Sequence, residues 1–249
     1  MSIKFTFLFL MANSFLNYNS GKNVVFKLGD ASCTVLIYEK KKSIANLIAL
    51  HGNESTCIKS FLALPNQCPF VLYELQQLGT RLLKYNYNNK CYYFDPNRMF
   101  SKKGIINTLK KNNKFYPSAI AIKIKYFTDS LLHILIPQNP ATYIIATHNN
   151  TDGGFSVKSY LNSPNAAQVY VCKSEDPDDF FIVTKVADFS FFKSKFQNVV
   201  LQSKLAKDDG SLSIYCQAKN IPYINIEAQD GHIKKQTEML LLCQQLLLK

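Results

Sequence analysis

Apolar positions along this chain fall into short unbroken runs and stripes of helical spacing that take turns. "NVVFKLG" and "CTVLIYE" are rich in β-branched residues and meet at Gly29 and Asp30, which predicts a hairpin. "ANLIALHG" is apolar without interruption and ends in glycine, as a strand buried on both faces should. "CPFVLYELQQLG" has helical spacing before a glycine stop, which predicts a helix. "TRLLKYNYN" reads as a strand leading to the polar "FDPNRMF", and helical spacing returns from about Pro117 to Ile136. "ATYIIATHNNTDGG" repeats the earlier arrangement, a buried strand emptying into a histidine and a glycine-rich loop. "SVKSY" after that loop reads as a strand, which argues against a phosphate cradle there. "DFFIVTK", "QNVVLQS" and "IPYINIEA" are further strands, separated by the helical "ADFSFFKSKF" and "SLSIYCQAKN". A last helix runs from about His232 to the end.

Strands alternating with helices predict an α/β fold: a single domain with a mixed, mostly parallel sheet flanked by helices on both faces. In such sheets, sites form in crevices beyond the carboxyl ends of strands. His51, His148 and Glu227 all fall at such ends. Turn capping alone does not require three such residues at three strand ends.

Composition narrows the picture further. With 47% hydrophobic residues and only 9 Gly and 9 Pro in 249 residues, the chain can bury a core and is no disordered polymer. Its +12 formal charge would suit an anionic partner. The lysines are scattered, however, with Lys40–Lys42 the longest run, and no stacking-plus-basic module accompanies them, so no nucleic-acid role is expected. Seven cysteines without a C-x-x-C pair argue against a disulfide framework or a zinc ribbon and read as small buried hydrophobes.

At the N-terminus, "MSIKFTFLFLMANS" places one lysine before an apolar run from Phe5 to Ala12. Residues 1–20 are expected to form an export signal, the other reading being a buried N-terminal strand. An exported protein would be periplasmic or secreted; without the signal it would be cytoplasmic. No segment is long enough for stable membrane insertion.

The chemistry turns on "HGNE" (51–54), where one loop presents a histidine and a carboxylate three residues apart. A catalytic zinc takes three protein ligands and keeps one position open, and His148 would complete such a set. "HGNE", "DPNRMF" (95–100), "THNN" (147–150) and "NIEAQDGH" (225–232) occur in the order seen in the zinc carboxypeptidase superfamily. Over roughly residues 44–240 the chain most resembles that superfamily's aspartoacylase and succinylglutamate desuccinylase branch.

The resemblance implies one Zn2+ per chain on His51, Glu54 and His148. It implies a substrate carboxylate held by Asn97 and Arg98, where a guanidinium offers a planar bidentate fork. Asn149, beside the third ligand, is expected to bind substrate. Glu227 aligns with the general base that activates water and returns its proton to the leaving nitrogen.

Departures accompany the likeness. An arginine that polarises the scissile carbonyl in this branch aligns with Lys90, and Arg81 is the nearest alternative. A lysine supplies charge without the fork. Tyr160, Tyr215 and Tyr223 all remain open for a tyrosine near the substrate. His133 is expected in a helix core or on its surface, and His232 at the start of the last helix, where touching substrate or orienting Glu227 is a minority reading. The glycines of "TDGGF" are expected to let the loop turn sharply.

Residues 21–249 are therefore expected to form one catalytic domain without the branch's C-terminal β domain, leaving a more open cleft. The expected function is a zinc-dependent hydrolase of an amide bond next to a free carboxylate. The first substrate reading is carboxypeptidase-like, on an extracytoplasmic peptide such as a cell-wall stem peptide. The rivals are an N-acyl amino acid deacylase, a non-catalytic carboxylate-binding pseudoenzyme, and a basic surface-binding protein.

Overall fold

The computed structural model describes residues 21–40, 43–77, 79–136, 139 and 142–249. The leader and the last two lysines of the Lys40–Lys42 run lie outside the described residues.

The first hairpin, β1 (Lys22–Leu28) with β2 (Ala31–Glu39), forms as its β-branched pattern requires. Gly29 turns it at φ +70, and a Cβ there would sit 1.9 Å from the Asn86 carbonyl oxygen. β3 (Ala45–Ala49) is buried at every position and runs into α1 (Ser55–Ala63). β4 (Phe70–Leu75) follows, then a separate two-stranded ribbon, β5 (Leu83–Tyr87) with β6 (Lys90–Phe94). After the helices α2 (Lys102–Asn112) and α3 (Ser118–Leu135) the chain enters β7 (Tyr143–Asn150). The second half contributes β8 (Ala166–Tyr170), β9 (Phe180–Val183), α4 (Val186–Ser194) and β10 (Val199–Gln202). It closes with α5 (Leu212–Ala218), β11 (Tyr223–Gln229) and α6 (Ile233–Leu247).

Nine strands pair in the order β1-β2-β4-β3-β7-β11-β9-β10-β8. The central four, β4, β3, β7 and β11, are mutually parallel. β2 and β9 flank them antiparallel, giving the mixed sheet expected of the sequence. One face packs on α2, α3 and α5 through Ile105, Leu109, Phe127, Leu131 and Leu212. The other packs on α1, α4 and α6 through Phe61, Phe192, Met239 and Leu240. Phe181 of β9 stacks on Phe192 at 3.9 Å between ring centroids, one of the tightest aromatic contacts in this second core.

Two expected elements differ. "FVLYEL" is strand β4, not a helix: between β2 and β3 it is an interior strand, and an apolar run shared by both sheet faces imitates helical spacing. "VKSY" (157–160) is a 3-10 turn, not a strand; Ser156 and Ser159 close a capping box around it. Helices α1 and α2 and edge strand β8 had no counterpart in the sequence reading. Six of the seven cysteines are buried and none is paired, as their spacing implied; Cys91 is exposed.

Candidate metal centre and active site

β3 ends where the chain turns outward at His51, and Glu54 stands at the N-terminus of α1. Its N–H reaches back to the His51 carbonyl, 3.2 Å away. β7 delivers His148 one strand over. Glu54 therefore lies between two imidazoles: His51 Nδ1 is 2.8 Å from Oε1 and His148 Nδ1 is 2.9 Å from Oε2. One ligand-type atom from each residue falls within 4.8 Å of the others, and all three side chains are buried.

Two nitrogens and a carboxylate, buried and converging at the foot of a cleft, form a donor set of the kind that suits zinc. The outer contacts agree with that at His51, whose Nε2 is 2.8 Å from Asp95 Oδ1. A carboxylate at that nitrogen fixes the tautomer that leaves Nδ1 a lone pair. At His148 the outer nitrogen has only a long contact, 3.3 Å to Asn97 Nδ2. Burial acts to raise the Glu54 carboxyl, but the charge and hydrogen bond of His148, together with those of His51, hold it down to about 2.

Asp95 is the pivot of the "DPNR" segment. Its Oδ1 accepts the Asn97 N–H (2.8 Å), capping a 3-10 turn over Pro96–Arg98 with proline at its start. Asn97 Oδ1 accepts the Leu212 N–H at 3.1 Å. Arg98 donates from Nη1 to its neighbour's carbonyl (2.7 Å), with Nη2 3.6 Å from Asp209. The loop carrying Asp209 comes this close because Gly104 faces Gly210; a Cβ on Gly104 would lie 2.3 Å from the Gly210 Cα.

Glu227, on β11, is the register partner of His148 on β7. It is buried, and Asn225 donates to its Oε1 at 2.8 Å. Burial pushes its carboxyl above the ordinary range and the nearby Glu54 charge adds to this, while His148 and the Asn225 hydrogen bond work the other way.

Glu54, Arg81, Asn97, Arg98, His148 and Glu227 all line one cleft of about 440 Å³. Asn149 lines it too, but its amide is engaged by the scaffold: Oδ1 accepts the Cys57 N–H (3.3 Å) and Nδ2 donates to the Ala228 carbonyl (3.3 Å). Lys90 is not in the cleft. It follows the Asn88–Asn89 turn at the tip of the β5–β6 ribbon, exposed, against Lys114 and Phe115. The β5–β6 ribbon carries that position away from the cleft. Arg81 lines the cleft along with Arg98, and donates to Glu54 Oε1 (3.1 Å) and Asp95 Oδ2 (3.3 Å).

Of the three tyrosines, Tyr160 is the one near the cleft wall, in edge contact with Phe155, which lines it. Burial pushes its hydroxyl up, and the charges of Glu227 and Asp209 act on it in the same direction. Tyr223 is wholly buried, and Tyr215 packs on Phe100. His133 is exposed on α3. His232 pairs with Asp179 (3.1 Å), not with Glu227. The roles of Asp95 and Asn225 escaped the sequence reading. An Asp before Pro-Asn is a capping signal, and an Asn two residues before Glu227 on a strand must share its face, so both were available in principle.

No protein-family model matches the chain, and no curated protein matches it in sequence. Among solved structures it is similar to a succinylglutamate desuccinylase from Vibrio parahaemolyticus, with 12% identity and a TM-score of 0.50 over 92% of this chain. The chain shares the fold of that desuccinylase. The chain spans 66% of the length of that desuccinylase chain. It is also similar to an aspartoacylase family protein from Mesorhizobium loti (14% identity, TM-score 0.43, 90% of this chain and 66% of that one). A third is the murein-tripeptide amidase MpaA from Escherichia coli O157 (12% identity, TM-score 0.42, 86% of each chain). The trio and Glu227 sit where an open α/β sheet places its ligands, beyond the ends of the central parallel strands.

Proposed function

We propose that this chain is a zinc-dependent hydrolase that cleaves an amide bond next to a free carboxylate. The observation that carries the reading is the meeting of His51, Glu54 and His148 beneath a cleft walled by Glu227, Arg81 and Arg98. His51 Nδ1, His148 Nδ1 and Glu54 would hold the ion, which when bound supplies Lewis-acid polarisation of a carbonyl. Glu227, buried and with its carboxyl raised, takes a proton from the attacking water and returns it to the leaving nitrogen. Arg98 and Asn97 receive the substrate carboxylate through a planar fork and an amide. Arg81, not Lys90, stands where a fixed positive charge can stabilise oxygen charge developing in the cleft.

A short peptide is the favoured substrate. Arg81 and Arg98 are shared with an adjoining groove of about 700 Å³ that continues past Asn107, Lys111 and Lys207, more room than a small acyl amino acid needs. The same machinery would serve an N-acyl amino acid deacylase, the kind of activity named for the Vibrio desuccinylase, and the two separate by substrate. An extracytoplasmic location rests on the leader pattern of residues 1–20 alone, and N-terminal sequencing of the mature protein tests it. Among the described residues no helix is long and apolar enough to cross a membrane.

The deciding experiment is metal analysis of purified protein, joined to an activity screen on peptides with free C-termini and on N-acyl amino acids. Stoichiometric zinc with chelator-sensitive cleavage supports the hydrolase. Bound metal with equally negligible turnover in the wild type and in Glu227→Gln would leave only a carboxylate-binding protein.

A further inference from the structure

The loop after β7 brings a phenylalanine to a cleft whose other lining side chains are polar or charged. Phe155 is 42% exposed, and no other exposed large hydrophobic among the described residues lines the cleft. A lone surface phenylalanine is ordinary, but this one is held in place. The Gly154 N–H closes the loop onto the Thr151 carbonyl at 2.9 Å, and Gly153 turns it at φ +65. The buried Asp178 carboxylate accepts the Gly153 N–H at 2.7 Å. The ring then meets Tyr160 and Phe180 at 5.7 and 5.4 Å between centroids, in edge geometry with both. An aromatic fixed by its loop and by two neighbours, and still exposed, is an apolar contact organised before anything binds.

Its place relative to the reacting groups follows from the sheet. His148 on β7 pairs with Glu227 on β11, and Glu227 stands opposite Phe180 on β9. Directly opposed residues project to the same face, so Phe180, with Phe155 packed on it, comes next after Glu227 on the side away from β3. Tyr160, the other ring against Phe155, feels the charges of both Glu227 and Arg98. In the proposed reaction the leaving amino acid spans those two groups, its nitrogen at Glu227 and its carboxylate at Arg98. Its side chain is the part left to reach Phe155.

We infer that Phe155 is a specificity determinant that selects a leaving amino acid with an apolar side chain. The inference rests on the hydrolase reading and deepens it.

Three substrates with a common N-acetylalanyl part, and glycine, leucine or glutamate as the leaving residue, test it. With zinc-loaded wild type, kcat/KM for the leucine compound should exceed that for glycine about tenfold or more, and exceed that for glutamate as well. Phe155→Ala should shrink the leucine-to-glycine ratio to about twofold, whereas Phe155→Leu should keep most of it. A wild-type ratio within about twofold overturns the inference. So does a glutamate compound cleaved faster than the leucine one, or a ratio that Phe155→Ala leaves unchanged. Should Phe155→Ala fail to fold, Phe155→Asn is read the same way. If none of the three is hydrolysed, the hydrolase reading fails separately, and calorimetric affinities of the same compounds for the zinc-loaded protein decide. Leucine bound about fivefold or more tighter than glycine supports the contact, and equal affinities overturn it.

Discussion

The two sides of the cleft are built on opposite principles. On the β3 side His51, Glu54, Arg81 and Asp95 form a closed circuit of charge-assisted contacts, each group answering another at 2.8–3.3 Å. On the β11 side Glu227 lines the cleft as a buried carboxyl held by the Asn225 amide at 2.8 Å. A satisfied charge network fixes geometry, as a metal requires, whereas a carboxyl raised by burial is suited to taking up a proton. The first side is a holder and the second a receiver.

The largest expected effect comes from breaking the holder. On the proposed metal reading, Glu54→Gln or His51→Ala should abolish both metal retention and turnover, read by metal analysis and kinetics, because either change takes away one of the three groups that would hold the ion. Breaking the receiver should act differently. Glu227→Gln should keep the metal while kcat falls about 10²- to 10⁴-fold. Next in size, Arg98→Lys should raise KM for carboxylate-ended substrates more than it lowers kcat, since the lysine keeps charge without the fork. Lys90→Ala, out at the ribbon tip, should change neither.

Acid should pull the two sides in opposite directions in the metal-free protein. The carboxyl of Glu54 is held down in the fold, from 4.5 to about 2, so its contribution is present at neutral pH and is lost as pH falls through that window. Glu227 is raised by burial, so its ionisation costs stability as pH rises above 4.5 and that cost vanishes on acidification. Metal-free Glu227→Gln should therefore unfold at higher denaturant than wild type at pH 7, the difference closing toward pH 4. A variant less stable than wild type at pH 7 would show that the two sides are not energetically distinct. The smallest measurable effect, about tenfold or less in kcat with KM and metal unchanged, is expected for Asn225→Leu, which frees the Glu227 carboxylate to rotate.

Much of this was legible in the sequence because the informative signals were local. Unbroken apolar runs ending in His51 and His148 gave the central strands, and the order of four short segments pointed to the trio and to Glu227. Long-range pairing was not legible. Whether "FVLYEL" is strand or helix depends on β2 and β3 closing on both its edges. The position of Lys90 depends on a ribbon whose length is invisible to spacing arguments. That Asn149 is tied to the scaffold at both ends of its amide, and Asn150 through its nitrogen, depends on which neighbours the fold brings to each.

The pair of glycines at 104 and 210 gives the site a remote vulnerability. The Asp209 loop rests against the arginine turn with no side chain between them, and a Cβ on Gly210 would sit 2.5 Å from the Arg98 carbonyl. A single methyl added at either position would wedge the two segments apart and swing the guanidinium off its aim. Because Asp95 of the same segment holds His51, the disturbance would travel from a loop with no chemistry of its own into the heart of the cleft.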